Sequence, residues 1–132
     1  MTDISYMIYN KNTKEYKVKF YKDIKTDRSP VLDYIKRLKD KEGAKVSKYI
    51  EFLRVNKGYL DKPYSRHIKG KIRELRVDFG RNKYRIFYFV FIKKIIILLH
   101  AFLKKTPKTP ASEIKKAEEN YQNVLKNPKI YE

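Results

Sequence analysis

Arginines, lysines and two histidines are the side chains of this sequence that could carry out chemistry. The chain has no cysteine, which excludes disulfides and thiolate metal sites. It has only 4 glycines, and neither a glycine-rich phosphate loop nor a cluster of metal ligands stands out. We therefore expect no metal and no other cofactor. The remaining chemistry is that of phosphates, whose charge arginine and lysine neutralise while histidine or an uncharged lysine moves protons.

The positive charge is concentrated in the second half of the chain. The formal net charge is +18, from 33 Lys and Arg against 15 Asp and Glu. Residues 66–108 hold 13 of these cations and only two acids, Glu74 and Asp78. Clustered positive charge is what binding to a phosphate backbone requires, so nucleic acid is the leading partner class, ahead of an acidic protein and an anionic membrane surface. We expect the two carboxylates to position arginines rather than to hold a metal.

Arg76 and Arg85 stand out because they lie inside predicted strands, where an arginine usually has a partner or a ligand. The alternative, that cations only protect strand edges from aggregation, suits Lys93 and Lys94 at a predicted hairpin tip. Alternation places Arg85 with Phe87 on one face of its strand. One face of the sheet must then be both apolar and basic, or a β-bulge must re-aim an arginine.

The two histidines have different surroundings in the sequence. His67 lies among charged residues in a predicted loop and is expected to be an ordinary surface side chain. His100 lies near the end of an apolar strand, and its parity matches Phe102 and Lys104, so the three should share one face. A partly buried structural histidine and a general acid–base are equally good interpretations of His100.

The first half of the chain predicts one strand followed by two helices. Residues 16–21 alternate between polar and apolar side chains, as a strand does. Ser29 and Pro30 form a helix start, and the predicted helix runs for about ten residues. A second helix is predicted after Gly43, ending near residues 56–58, so that the pair forms a helical hairpin.

The second half predicts three strands and a final helix. Residues 61–70 are expected to be a polar loop, and strands follow at 71–79, 84–92 and 95–103. The last two strands are apolar on both faces and should be central in the sheet. The final helix should start at residues 109–110 and end at 127–128. The predicted class is α+β, a small twisted and mostly antiparallel sheet with an N-terminal helical hairpin and a C-terminal helix.

The chain is expected to form a single domain over residues 16–132, preceded by an N-terminal extension, residues 1–15. Residues 4–9 could add an edge strand or remain loose. The apolar stretch 86–103 is interrupted by two lysines, and each part is too short to span a membrane. No signal-peptide pattern is visible, so we expect a cytoplasmic protein without a membrane partner.

Three segments together form a more specific pattern: KIRELRVDFGRNKYRIFYF, IILLHAFLKKTPKTP and EIKKAEENY. With the first strand and helix, they resemble the RelE/ParE toxin superfamily over about residues 16–126, and most closely its phage-derived HigB-like branch. The resemblance implies a RelE-like fold and the toxin of a type II toxin–antitoxin system. Such toxins are similar to ribosome-dependent, metal-independent mRNA endonucleases that inhibit translation. The implied partners are the ribosome, mRNA and a cognate helix-turn-helix (HigA-like) antitoxin, with no small-molecule ligand.

The resemblance also implies that basic residues of the central strands carry the reaction. The positions that match as catalytic are Arg76, Arg85, His100, Lys104 and Lys105. The positions expected to bind RNA are Lys71, Arg73, Arg81, Lys83 and Lys108.

The chain departs from some RelE-type toxins in one respect. Those toxins carry a catalytic tyrosine at the start of the C-terminal segment, whereas residues 106–112 contain none and Tyr121 lies within the predicted final helix. Two alternatives remain open. The chain could be a ParE-like toxin that inhibits DNA gyrase by protein binding without nuclease activity, or a phage protein that only binds nucleic acid or a partner.

Overall fold

A computed structural model of the protein describes residues 15–132, so the possible edge strand at residues 4–9 lies outside the described residues. The strands are β1 (Lys17–Phe20), β2 (Ser65–Lys69), β3 (Ile72–Phe79), β4 (Asn82–Phe91) and β5 (Ile95–Lys104). The helices are α1 (Pro30–Arg37), α2 (Asp40–Val55) and α3 (Ala111–Lys126), with 3₁₀ turns at Ile92–Lys94 and Pro128–Tyr131.

The five strands form one sheet in the order β1-β5-β4-β3-β2. β1 pairs with β5 in parallel, and the other neighbours are antiparallel. The prediction of an α+β fold with a mostly antiparallel sheet is therefore confirmed. The two strands that are apolar on both faces, β4 and β5, lie inside the sheet as predicted, because each needs a hydrophobic layer on both sides.

Helices cover both faces of the sheet and create two hydrophobic cores. On one face, Leu53 of α2 packs with Leu75 and Ile96 in a buried cluster. On the other face, Ala117 and Val124 of α3 belong to a cluster that includes Phe89 and Ile97. Burial of each large apolar side chain contributes about 1.5–3 kcal/mol, so the two cores fix both helical layers. The helices of residues 15–132 are all too short or too polar to span a bilayer.

The starts of two helices, α2 and α3, differ from the sequence prediction. Ser29 precedes Pro30 at the start of α1 as expected, but its side chain makes no capping hydrogen bond. α2 begins at Asp40, so Gly43 lies inside the helix rather than before it. The residue preceding α3 is Pro110 instead of Thr109. Helix ends fray over one or two residues, which covers the shift at the start of α3.

The sequence prediction of a loop over residues 61–70 is wrong for its second half, because β2 occupies Ser65–Lys69 at the edge of the sheet. Ser65, Arg66 and His67 stand opposite Leu75, Glu74 and Arg73 of β3. Ser65 is its one buried residue, so the strand lacks the apolar alternation that sequence reading requires.

A bulge in β5 decides which residues of its second half face α3. Phe87 of β4 pairs with His100, but Tyr88 pairs with Leu98, so β5 has one extra residue at Leu99. Both Leu99 and His100 therefore face the α3 side. The expected parity of His100 with Phe102 holds because both residues lie beyond the bulge.

Candidate active site

The two arginines singled out in the sequence stand directly opposite each other, Arg76 on β3 and Arg85 on β4. Leu75 and Ile86 pack under α1 and α2, so alternation turns both arginines towards the α3 side. The part of this face where Phe87 packs near α3 is apolar, and the part where Arg76 and Arg85 stand is basic. No bulge re-aims either arginine. Like charges that face each other across strands are destabilising unless they are compensated.

Two carboxylates supply this compensation, as the sequence predicted. Arg85 Nη1 donates to Asp78 Oδ1 at 2.8 Å. Glu74 is fully buried, and its Oε1 accepts from Arg66 Nε at 3.0 Å and lies 3.7 Å from Arg76 Nε. Within residues 15–132, no group of three or more acidic or histidine side chains is placed to hold a metal ion. The carboxylates thus fix guanidinium groups.

Arg85 is held more tightly than its neighbours. Its side chain is 1% exposed, and its Nη1 also donates to the carbonyl of Tyr84 at 2.9 Å. Its buried Nε has no hydrogen-bond partner. Arg76 and Arg66 are 30% and 38% exposed, respectively. A ligand from solvent therefore reaches Arg76 and Arg66, while Arg85 acts on it through its field.

Lys104 at the end of β5 lies within the field of these arginines and stands opposite Lys83. Partial burial lowers the pKa of its ammonium, and the positive charges of Arg85, Arg66 and Arg76 lower it further, against an opposing effect of Glu74. At any given pH a larger fraction of Lys104 is therefore uncharged than of an ordinary surface lysine. The uncharged amine can accept a proton from a nearby hydroxyl.

Lys104 also lines an open cleft of about 550 Å³. The cleft contains four cationic side chains, those of Arg81, Lys83, Lys104 and Lys105. Because no carboxylate lines it, the cleft offers an anion several positive charges close to an amine that can transfer protons.

His100 lies on the same face but away from this cleft. Its Nε2 is 2.8 Å from Glu113 Oε1 of α3, and its ring stacks on Phe102 with the two ring centres 5.8 Å apart. Lys104 lies four residue steps after His100, which corresponds to about 13 Å along β5. His100 therefore links β5 to the start of α3, with Phe102 between it and Lys104.

The residues expected to bind RNA are not all in one place. Arg81 and Lys83 line the cleft, while Lys71 and Lys108 are exposed in loops outside it. Arg73 points to the opposite face, where its Nη2 lies 3.2 Å from Ser65 Oγ. His67 is exposed, as expected, with its Nε2 2.8 Å from the carbonyl of Gly70.

Sequence reasoning missed Arg66 as a member of the site, although it belongs to the counted cluster of positive charge. Its position follows from the pairing of β2 with β3, which sets Arg66 opposite Glu74. Arg66 Nη2 also lies 3.5 Å from Thr109 Oγ1 in the loop before α3. The alternation of Arg66 and Ile68 is the only sequence signal for this placement, and it is too short to identify a strand.

The chain matches a known family of phage-derived proteins. Residues 33–122, more than half of the chain, match the sequence profile of the family described as Phage derived protein Gp49-like (DUF891). The matched range runs from α1 into α3 and includes all the site residues described above. No curated protein matches the chain at a significant level.

Proposed function

Because the chain belongs to the phage-derived Gp49-like family, which is related to RelE-type toxins, we propose that it is a metal-independent endoribonuclease and the toxin of a type II toxin–antitoxin system. The observation that carries the proposal is the position of Lys104. A lysine whose pKa is lowered by burial and by neighbouring arginines lies in a cationic cleft, and the accessible Arg76 is one of the arginines whose charge acts on it. A proton acceptor next to fixed positive charge is what phosphodiester cleavage by a 2′-hydroxyl requires.

The reaction is an internal transfer. Uncharged Lys104 takes the proton of the ribose 2′-hydroxyl, and the 2′ oxygen attacks the adjacent phosphorus. The bond to the 5′ oxygen of the next nucleotide breaks as the new bond forms, which leaves a 2′,3′-cyclic phosphate. The departing oxygen takes a proton from an ammonium, for which Lys105 lines the same cleft. Arg76 and Arg66 neutralise the additional charge on the phosphate oxygens.

Arg85 is a positioning residue in this scheme. It is too deeply buried to contact the phosphate, and its charge keeps Lys104 in the uncharged form for more of the time. Asp78 and Glu74 hold the guanidinium groups apart and oriented before the substrate arrives. Such preorganisation avoids reorganisation during the reaction itself.

The likeness to HigB-like toxins extends the proposal to the cellular target. We expect cleavage of mRNA on the ribosome and neutralisation by a helix-turn-helix antitoxin. A short adjacent reading frame that encodes a helix-turn-helix protein would support this pairing. Direct cleavage of naked RNA in the absence of ribosomes would instead indicate a free ribonuclease.

The experiment is expression of the chain in cells, followed by mapping of mRNA 5′ ends. Wild type should produce new 5′ ends within coding regions, and a Lys104→Met variant should lose at least about 100-fold of the signal, the lower range for removal of an acid–base group. Lys126→Met, which removes an exposed charge at the far end of α3, serves as the matched control.

Two outcomes contradict the proposal. Intact mRNA with accumulating DNA damage would identify a gyrase inhibitor. Cleavage by purified protein and ribosomes that stops in EDTA and resumes with an added divalent metal would refute a metal-independent reaction, provided that ribosome integrity is maintained.

A further inference from the structure

A second surface, rich in aromatic side chains, lies on the side of the sheet covered by α2. A groove of about 270 Å³ is lined by Tyr49, Phe52, Asn56, Leu60 and Tyr64. The ring centre of Tyr49 lies 5.6 Å from that of Phe52 and 6.0 Å from that of Tyr64. Phe52 is 41% exposed and Tyr64 is 48% exposed. Aromatic rings that are this accessible contribute little to the core and offer faces on which planar groups stack.

This groove continues towards the candidate active site. An adjoining groove of about 140 Å³ is lined by Lys45, Tyr49, Pro63, Tyr64, Arg76 and Asp78. It shares two tyrosines with the first groove and shares Arg76 and Asp78 with the site. The connection is open because β2 begins only at Ser65, opposite Leu75, so the rest of β3 extends past the start of β2. The path therefore runs from Arg76 around this edge of β3 onto the aromatic rings.

Positive charge accompanies the rings along this path. Lys45 Nζ lies 5.7 Å from the ring centre of Tyr49, and Lys48 Nζ lies 5.7 Å from that of Phe52. Lys57 and Lys62 are exposed in the loop that follows α2. Stacking rings bordered by cations characterise surfaces that bind single-stranded nucleic acid, because bases stack and phosphates pair with the cations.

We propose that the two adjoining grooves, together called the aromatic groove, bind the segment of single-stranded RNA that adjoins the cleaved phosphate. The inference rests on the proposed function for the identity of the strand. A strand whose phosphate contacts Arg76 needs a path away from that residue, and the aromatic groove begins there. Tyr59, which precedes Leu60 of the groove in the sequence, is 57% exposed, and Arg73 Cζ lies 4.8 Å from its ring centre. A protein partner would gain from the same rings but would not require a path that ends at the site.

The test uses the full chain and an RNA that cannot be cleaved. A fluorescein-labelled single strand of about 12 nucleotides, within the range of single-strand site sizes, carries a 2′-O-methyl group at every position. Fluorescence anisotropy measures its affinity. Tyr64→Leu and Phe52→Leu should each weaken binding by about tenfold, as expected for loss of stacking on one base, whereas Tyr64→Phe should bind like wild type.

Inorganic polyphosphate, which has charge but no bases, separates stacking from charge. Its affinity should be the same for wild type and Tyr64→Leu. The inference is overturned if Tyr64→Leu and Phe52→Leu bind the RNA like wild type, or if polyphosphate binding falls by the same factor as RNA binding. Unchanged RNA affinity together with loss of binding to the helix-turn-helix partner would also overturn it and would assign the surface to that protein.

The fate of the proposed function can be read separately. Lys126→Met, which removes an exposed charge at the far end of α3, should retain the affinity for the methylated RNA. A chain that binds RNA through Tyr64 but leaves cellular mRNA intact would remove the nuclease proposal and keep this inference. A thermal unfolding midpoint equal to that of wild type verifies that each variant is folded. We expect this result because Tyr64 and Phe52 are exposed.

Discussion

Replacement of Glu74 by glutamine tests the arrangement of charge at the site most directly. Glu74 is fully buried, and its Oε1 serves Arg66 at 3.0 Å and lies 3.7 Å from Arg76. Its Oε2 has no hydrogen-bond partner. The amide keeps one oxygen for Arg66 but replaces Oε2 with a buried NH₂ group, an unsatisfied donor beside guanidinium groups.

The loss of stability can be worked out from these contacts. A buried unsatisfied donor costs about 1–3 kcal/mol. Removal of one partner of a buried ion pair costs about 3–5 kcal/mol. This cost is not added to that of the unsatisfied donor, because both describe the same broken contact. Arg66 and Arg76 are about one-third exposed and regain water, so the lower part of the range applies. We expect Glu74→Gln to lower the free energy of unfolding by about 3 kcal/mol.

Urea unfolding followed by far-ultraviolet circular dichroism measures this difference. Glu118→Gln is the matched control because Glu118 pairs with Lys69 at 3.0 Å but both side chains are exposed, and its loss should stay below about 1 kcal/mol. Added sulfate should stabilise Glu74→Gln more than wild type, since an anion can replace the lost charge near the arginines. If Glu74→Gln lost no more stability than Glu118→Gln, the ion pairs of Glu74 with the arginines would not stabilise the fold as buried contacts.

Two further predictions concern stability. Gly58→Ala should lower the free energy of unfolding by about 2–3 kcal/mol, because Gly58 has φ +83° and a Cβ there would collide with Val90. Gly80→Ala, at φ +58° with open space around it, should lower it by about 1 kcal/mol. Equal losses for the two variants in urea unfolding would show that the contact with Val90 does not matter. The pKa of Lys104 is lower in the folded chain than in the unfolded chain. At a pH between these two pKa values the unfolded chain binds more protons, so the free energy of unfolding of wild type should rise as the pH increases through this alkaline interval. Lys104→Met should flatten this rise and be more stable than wild type at pH 7 while Lys105→Met behaves like wild type, and identical pH slopes for wild type and Lys104→Met would contradict the prediction.

Much of the fold follows from local sequence patterns. Alternation identifies β1 and β3, and continuous apolar runs identify β4 and β5 as interior strands. Ser29 with Pro30 marks the start of α1, since these residues suit a helix start in any tertiary context. β2 escapes prediction because an edge strand buries few side chains. The bulge at Leu99 escapes it because an extra residue shows only in the pairing with β4.

The candidate site was predicted in part. The sequence identifies Arg76, Arg85 and Lys104 as residues of interest, and Glu74 as a carboxylate that positions arginines. It does not show that Arg66 joins them, because this depends on a strand that the sequence hides. It places His100, Phe102 and Lys104 on one face, but it does not show that His100 Nε2 lies 2.8 Å from Glu113 Oε1 of α3.

The amino-acid sequence establishes every strand and helix of residues 15–132 except β2, the concentration of positive charge and the family match, because these depend on residue types and short spacings. The tertiary structure alone decided which charges meet and how deeply each is buried. Arg85 is inaccessible and Lys104 has a lowered pKa because residues distant in the sequence surround them. The groove from Arg76 to Phe52 likewise exists only because β2 begins at Ser65, beside the middle of β3, and because α2 packs over the sheet. Strand alternation is a property of neighbouring residues, but burial and electrostatic fields sum over the whole fold.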